Sequence, residues 1–410
     1  MAIPSISEPA SAPGPSPRAL IAILSATSIL GMLGTSSFAA LLPEFQQLWG
    51  LDNTEAGWIS ALFFAGYVAG VPLLVGSTDH IDPRKIYLGS LVLGGLASFA
   101  YAFLAQGFWT AVVIRTVAGM GLAGTYMPGL KLLTDRYHGQ LQGRYIAYYT
   151  AGFSFGTAFS FAFTGEAADL LGWPAAFWGA GVGSLAAFAL IWFLVPSGPP
   201  ARAHRDSLIP RLHFRPVFRN RAVMAFVLAY VGHTYELFAL RAWLVAYLIY
   251  ADRLRGGAGD ISRASWISTA TVLVSTFASI YGAEIAARSD RRKVIGRVMI
   301  LSVLGSAAAG FSSGLPVWIV AVLCCLYSML IMADSAALTG GAVVSSTQEQ
   351  RGATLAVHSV LGFSGAVLGP LAVGLVLDAT GGGTSYLAWG LAFLAMGAGS
   401  LGALFAIRGL

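Results

Sequence analysis

Long apolar runs separated by short polar segments dominate the chain. They fall at 18–44, 55–76, 86–106, 108–134, 141–165 and 174–195, and again at 221–250, 263–288, 293–311, 316–343, 350–377 and 384–407. Each is close to or above the ~20 residues that an α-helix needs to cross the hydrocarbon core of a bilayer. Numbered in order as spans 1 to 12, they predict an all-α membrane protein with twelve transmembrane helices. Six lie on each side of a polar connector, which predicts two six-helix bundles over 18–195 and 221–410, joined by a basic linker at 196–220. Residues 1–17, rich in Ser, Pro and Ala, read as a disordered cytoplasmic tail. The first run is too long for the core of a signal peptide and is expected to stay as span 1. Leu51-Asp52-Asn53-Thr54-Glu55 reads as a helix cap before span 2, with Asn53 or Thr54 supplying the capping oxygen.

Charge turns this pattern into an orientation. The stretch 196–221 carries Arg202, Arg205, Arg211, Arg215, Arg219 and Arg221 against one acid, Asp206. Basic loops stay on the cytoplasmic side of a membrane. With the linker and both termini inside, cytoplasmic segments collect 19 of the 24 Lys and Arg, and outer segments keep only Arg253, Arg255 and Arg263. Composition agrees: 56% of the 410 residues are hydrophobic, 10% are charged and mean hydropathy is +0.72. Soluble domains carry ~25% charged residues. The expected location is therefore the cell (inner) membrane, as a multi-pass protein in contact with lipid. The net charge of +6 is spread over short loops, so it reads as orientation, and no nucleic-acid partner is expected. Cys324 and Cys325 are adjacent inside an apolar run and read as packing residues, with no metal-ligand spacing around them. No cofactor and no metal is expected, and a monomer is.

An ionised group at the centre of a bilayer costs at least ~2.5–3.5 kcal/mol, so each needs a reason. The set is Arg115 in span 4, His233, Glu236 and Arg241 in span 7, Asp334 in span 10 and His358 in span 11, with Glu284 nearer the end of span 8. On span 7, Tyr230, His233, Glu236, Arg241 and Tyr247 fall within an arc of roughly 140° at ~100° per residue. Such a face looks into protein or water. Arg115 lies at a depth comparable to Arg241, counted at ~1.5 Å per residue, and shares a stripe with Gly119, Leu122 and Tyr126. Guanidinium groups suit oxyanions, so Arg115 and Arg241 are candidate substrate ligands, with Tyr126, Tyr230 and Tyr327 beside them. His233 with Glu236, and Asp334, are candidate proton-coupling groups. The competing reading pairs Arg115 with Glu236 as a structural tie and lets Arg241 reach the outer interface. Asp334 and His358 lie at matching depths that let them pair, although a histidine beside Gly362, Gly365 and Gly369 more often serves packing. The aromatic clusters Phe63, Phe64 and Tyr67, and Tyr145, Tyr148 and Tyr149, also read as packing first.

The halves echo each other. Gly76-Ser-Thr-Asp79-His80-Ile-Asp82-Pro83-Arg84-Lys85 follows span 2, and Gly282-Ala-Glu284 through Arg288-Ser-Asp290-Arg291-Arg292-Lys293 follows span 8. In these segments the chain resembles the major facilitator superfamily, over essentially its whole length. Asp79 matches the acid of that family's loop motif and Arg84 its final base, while His80 replaces an arginine and Asp82 a glycine. Arg115-Thr-Val-Ala-Gly119-Met-Gly121 resembles the family's span 4 motif. The resemblance implies spans 1, 4, 7 and 10 around a central cavity, with Arg115 and the polar face of span 7 opposed across it. It also implies a cytoplasmic gate using Asp79, Arg84, Glu284 and Arg291. The Gly-Pro that marks many drug/proton antiporters on span 5 is absent there, and Gly369-Pro370 stands on span 11 instead.

These readings lead to a secondary transporter working by alternating access. It is expected to be proton-coupled and to carry a small organic anion, with uptake (symport) favoured. The alternative is a proton-driven exporter of drugs or other amphipathic compounds. An enzyme is not expected, because no clustered catalytic set appears. A primary pump would need a phosphate-binding Gly-x-x-x-x-Gly-Lys loop, which is missing.

Overall fold

The computed structural model describes residues 15–78, 80–137, 141–198 and 214–409. The 1–17 tail and the central part of the linker, with Arg202, Arg205, Asp206 and Arg211, fall wholly or mostly outside the described residues.

The first half holds α1 (Pro17–Gly31), α2 (Ser37–Ala40), α3 (Leu42–Trp49), α4 (Asn53–Ser77), α5 (Pro83–Leu104), α6 (Phe108–Thr134), α7 (Gln142–Leu171) and α8 (Trp173–Leu194). The second half holds α9 (Phe214–Arg219), α10 (Arg221–Leu254), α11 (Ile261–Arg288), α12 (Arg291–Gly310), α13 (Val317–Met332), α14 (Ser335–Val344), α15 (Arg351–Ala379) and α16 (Tyr386–Gly409). Among the described residues no strand is present. Among the described residues ten segments are long and apolar enough to cross a membrane, counting α13 with α14 as one. Of the rest, α1 is apolar but only 15 residues long, and α7 runs for 30.

Two of the expected spans are broken. Span 1 is not one helix: α1 stops at Gly31, and α2 and α3 follow after a gap. The reason lies in Gly31-Met-Leu-Gly34-Thr35-Ser36-Ser37, where glycines and hydroxyls compete with the helical ladder. Neighbouring helices satisfy the freed backbone. Arg115 of α6 donates to the carbonyls of Gly34 and Thr35, each at 3.1 Å, and Ser160 of α7 donates to Leu33 at 2.6 Å and accepts from the Ser36 N–H. Span 10 breaks at Ala333–Asp334, between α13 and α14.

The cap before α4 also differs from expectation. Asp52, rather than Asn53 or Thr54, accepts the Glu55 N–H at 2.7 Å, and Glu55 answers from the third helical position. Asn53 and Thr54 are engaged elsewhere: both donate backbone and side-chain bonds to the carboxylate of Asp378, near the end of α15.

Within the first half α4 and α5 both lie against α6, α5 also against α8, and α1 sits between α7 and α8. In the second half α10 runs between α15 and α16, and α12 lies between α13 and α16. The halves touch mainly along α4–α15 and α7–α11. On the second seam, Glu166 of α7 accepts bonds from Ser262 and Trp266 of α11, both at 2.7 Å. Glycine makes the tightest approach possible. A Cβ on Gly119 of α6 would lie 1.8 Å from the Phe63 carbonyl of α4, so no side chain fits there. Outside the helices, Asp290 caps α12 and the Lys293 N–H holds its carboxyl below the usual carboxylate range.

Candidate functional site

Arg115 is the node of the first half. It is buried, its guanidinium lies 4.1 Å from the Phe63 ring centroid, and two of its nitrogens are spent on the broken stretch of span 1. Its Nε has no partner among the described residues. Two cavities meet it. One, of about 40 Å³, opens into the first half beside Tyr101, whose hydroxyl is also unpartnered. The other, of about 30 Å³, lies between the halves and is shared with Arg241 of α10. The expected opposition of Arg115 and Arg241 is therefore present, across a space holding about one water.

The lining of this second cavity has a clear chemistry. Besides the two arginines it holds Phe64, Phe153, Phe161 and Phe238, the hydroxyls of Thr35, Ser36, Ser60 and Thr157, and no carboxylate. Phe64 of α4 meets Phe238 of α10 at 4.3 Å between centroids, and the Arg241 guanidinium lies 5.5 Å from the Phe238 ring. The Ser60 hydroxyl is buried with no partner among the described residues. Sequence pattern passed over Ser60 and Phe238, because one serine or one phenylalanine on an apolar helix carries no signal of its own. Phe64, whose sequence setting suggests packing, lines the cavity as well.

The remaining polar face of α10 is divided between two other neighbourhoods, and the pairing expected there is corrected. His233 does not pair with Glu236. Its Nδ1 lies 2.8 Å from Oδ1 of Asp334, at the break between α13 and α14, with both groups buried. Glu236, three residues on, is turned by ~300° toward α12, α13 and α16. It is fully buried and accepts from Ser302 at 3.0 Å, from Tyr327 at 2.7 Å and from Ser400. A structural tie between Glu236 and Arg115 is likewise not formed: Glu236 bonds to the three hydroxyls and Arg115 to the Gly34 and Thr35 carbonyls. Asp334 and His358 do not pair. His358 shares a bond of 3.1 Å between its Nε2 and Thr339, and stacks on Tyr230 at 4.0 Å. Tyr230 in turn stacks on His233 at 5.3 Å.

The structure puts the other expected ligands elsewhere. Tyr327 is held against Glu236, Tyr126 stacks on Tyr149 at 5.8 Å, and neither they nor Tyr230 line the two cavities. Of the expected gate, Asp79 lies outside the described residues. Arg84 donates to the Trp192 carbonyl at 2.7 Å, Glu284 pairs with Arg288 one turn on in its own helix, and Arg291 comes within 4.0 Å of a Cβ built on Gly340. Each of these contacts stays within one half of the chain. Both cysteines are free thiols.

A sequence description of the Major Facilitator Superfamily matches residues 24–259. The chain is similar to the 3-(3-hydroxy-phenyl)propionate transporter of Escherichia coli (strain K12), at 29% identity over 209 residues, 50% of this chain and 50% of that protein. It is also similar to Protein spinster homolog 1 of Homo sapiens, at 23% identity over 247 residues, 56% of this chain and 45% of that protein. The chain thus spans about half the length of the curated relatives it matches. Among solved structures, a bacterial homolog to human lysosomal transporter Spinster, inward-facing and unoccupied, matches with a TM-score of 0.79. That likeness has 15% identity and covers 96% of this chain and 95% of the other, so it is a likeness of fold.

Proposed function

Because this chain belongs to the Major Facilitator Superfamily, we propose that it is a proton-coupled secondary transporter that carries a small organic anion inward by alternating access. The observation that carries the anion reading is the small cavity between the halves, which two arginines line and no carboxylate does. One buried and one half-buried cation, with no carboxylate in the lining they share, suit a ligand that brings its own negative charge. Arg241 offers its guanidinium fork, and Arg115 adds the Nε that the broken span leaves free.

Inward movement of an anion runs against an interior-negative potential, by ~2.3 kcal/mol per charge per 100 mV. Uptake therefore needs a companion cation. The buried His233–Asp334 pair suits that role, because a proton can be taken up there without leaving a lone charge in the membrane. Its position at the break of span 10 couples the proton to a point where the helix can bend. Glu236, with three hydroxyls on it, is a second acid of the same half and serves first to hold α10 against α12, α13 and α16.

In this reading the twelve spans, counting the broken ones whole, form two six-helix bundles with both termini in the cytoplasm. The bonds to Asp378 and Glu166 then close the outer side. The same phenylalanines that line the cavity favour a second reading, export of an amphipathic compound. The two readings differ over the arginines. In purified protein, an organic acid that raises the melting temperature of wild type should lose its effect in Arg241→Ala. If it stabilises both equally, Arg241 is not its ligand and the exporter reading gains. Uptake into vesicles should rise with an inward proton gradient, and uptake indifferent to that gradient overturns the coupling.

A further inference from the structure

The ring pair Phe64–Phe238 is where the two halves meet over the cavity. Phe64 comes from α4 and Phe238 from α10, with centroids 4.3 Å apart and planes at 53°. A guest larger than a water needs the halves to move apart, and the Phe64–Phe238 pair is a contact between them that lines the space it would enter. An aliphatic guest removes this ring contact and leaves Phe64 only Phe63, at 5.1 Å, and Phe238 only Phe363, at 5.7 Å, as aromatic neighbours. An aromatic ring placed between them restores ring contact on each side, at about two- to tenfold in affinity per ring pair. Phe153 and Phe161 of α7 add two more rings to the same wall.

The polar groups left over favour one acid group. Two N–H groups of Arg115 already serve the Gly34 and Thr35 carbonyls and its Nε has no partner among the described residues, which leaves that Nε beside the Arg241 fork as donors for a ligand. That set fits the two oxygens of one carboxylate. The unpartnered Ser60 hydroxyl, buried on the same wall, stands ready for a further polar group on the ligand. An orphaned buried donor implies a missing partner.

We infer that the carried anion is an aromatic monocarboxylate, its ring taking the place of the Phe64–Phe238 contact and its carboxylate lying between Arg241 and Arg115. The inference rests on the anion reading and narrows it.

Binding to the purified full-length protein by calorimetry tests it, with phenylacetate, cyclohexylacetate and phenylacetamide as probes. Phenylacetate should bind about three- to tenfold more tightly than cyclohexylacetate, and phenylacetamide more weakly than either. Phe64→Leu and Phe238→Leu should each reduce the phenyl-over-cyclohexyl ratio and keep the acid-over-amide ratio. Arg241→Gln should do the reverse. Equal binding of the two acids, both above the amide, overturns the aromatic assignment and leaves the anion reading standing. An amide that binds as well as its acid removes both. Failure of all three to bind overturns the aromatic assignment, as does a leucine variant that weakens every probe by the same factor.

Discussion

Asp378 offers the sharpest test of how the halves are held. Near the end of α15 its carboxylate accepts four bonds from the start of α4: the Asn53 N–H at 3.1 Å, the Asn53 side-chain amide at 2.7 Å, the Thr54 N–H at 2.7 Å and the Thr54 hydroxyl at 2.6 Å. A buried carboxylate with four such donors is worth several kcal/mol, at ~1.5–3 kcal/mol per charged bond. Here Asp378 and Thr54 are exposed or half-buried, and water replaces much of what is lost. Discounted to the range of solvent-exposed charged contacts, Asp378→Ala should weaken the clasp by about 1 kcal/mol. That is about a fivefold change in the balance between closed and open forms at this end. Spin labels at exposed Leu48 and Leu387 read distances at the clasped end, and labels at Ile81 and Ile285 read the opposite end. The variant should broaden the first distribution toward longer distances and shorten the second. Thr54→Val, which removes one bond, should move both in the same direction and less far. Distributions identical to wild type, in a variant that melts at the same temperature, would refute the idea that these bonds hold the halves closed.

Other variants probe separate contacts. Glu236→Ala leaves the hydroxyls of Ser302, Tyr327 and Ser400 without their acceptor, and should destabilise the protein by ~2–4 kcal/mol, seen as a lower melting temperature; Glu236→Gln, which keeps an acceptor, should cost less. Asp334→Asn should make vesicle uptake insensitive to the proton gradient while substrate counterflow persists, and retained sensitivity would move the coupling to another group. Gly119→Val sets carbon against the Phe63 carbonyl, forces α4 from α6, and should cost more than ~2 kcal/mol, read as loss of folded protein in detergent.

Much of this protein was legible before folding. Hydropathy along the chain marks membrane-spanning helices because a backbone in hydrocarbon must satisfy its own hydrogen bonds, and helices are the local way to do so. The cost of intramembrane charge singled out Arg115, His233, Glu236, Arg241 and Asp334. Periodicity could say that His233 and Glu236 share a broad face. It could not say that this face is split between two sets of neighbours. A turn of ~300° sends Glu236 to hydroxyls on three other helices and leaves His233 for Asp334.

Partner choice was decided only by tertiary structure, because the partners are far apart in the chain and set by how helices rotate and cross. Asp378 meets Asn53 across 325 positions, and Phe64 meets Phe238 across the two halves. The break in span 1 lies between these cases. Its glycines and hydroxyls weaken the helix locally, but the bends hold because Arg115 and Ser160, from two other helices, take up the carbonyls that the break releases. The sequence alone determined which segments enter the bilayer and which residues are costly there. Packing determined whom those residues answer to, since a buried polar group is settled by whatever donor or acceptor the neighbouring helices bring within reach.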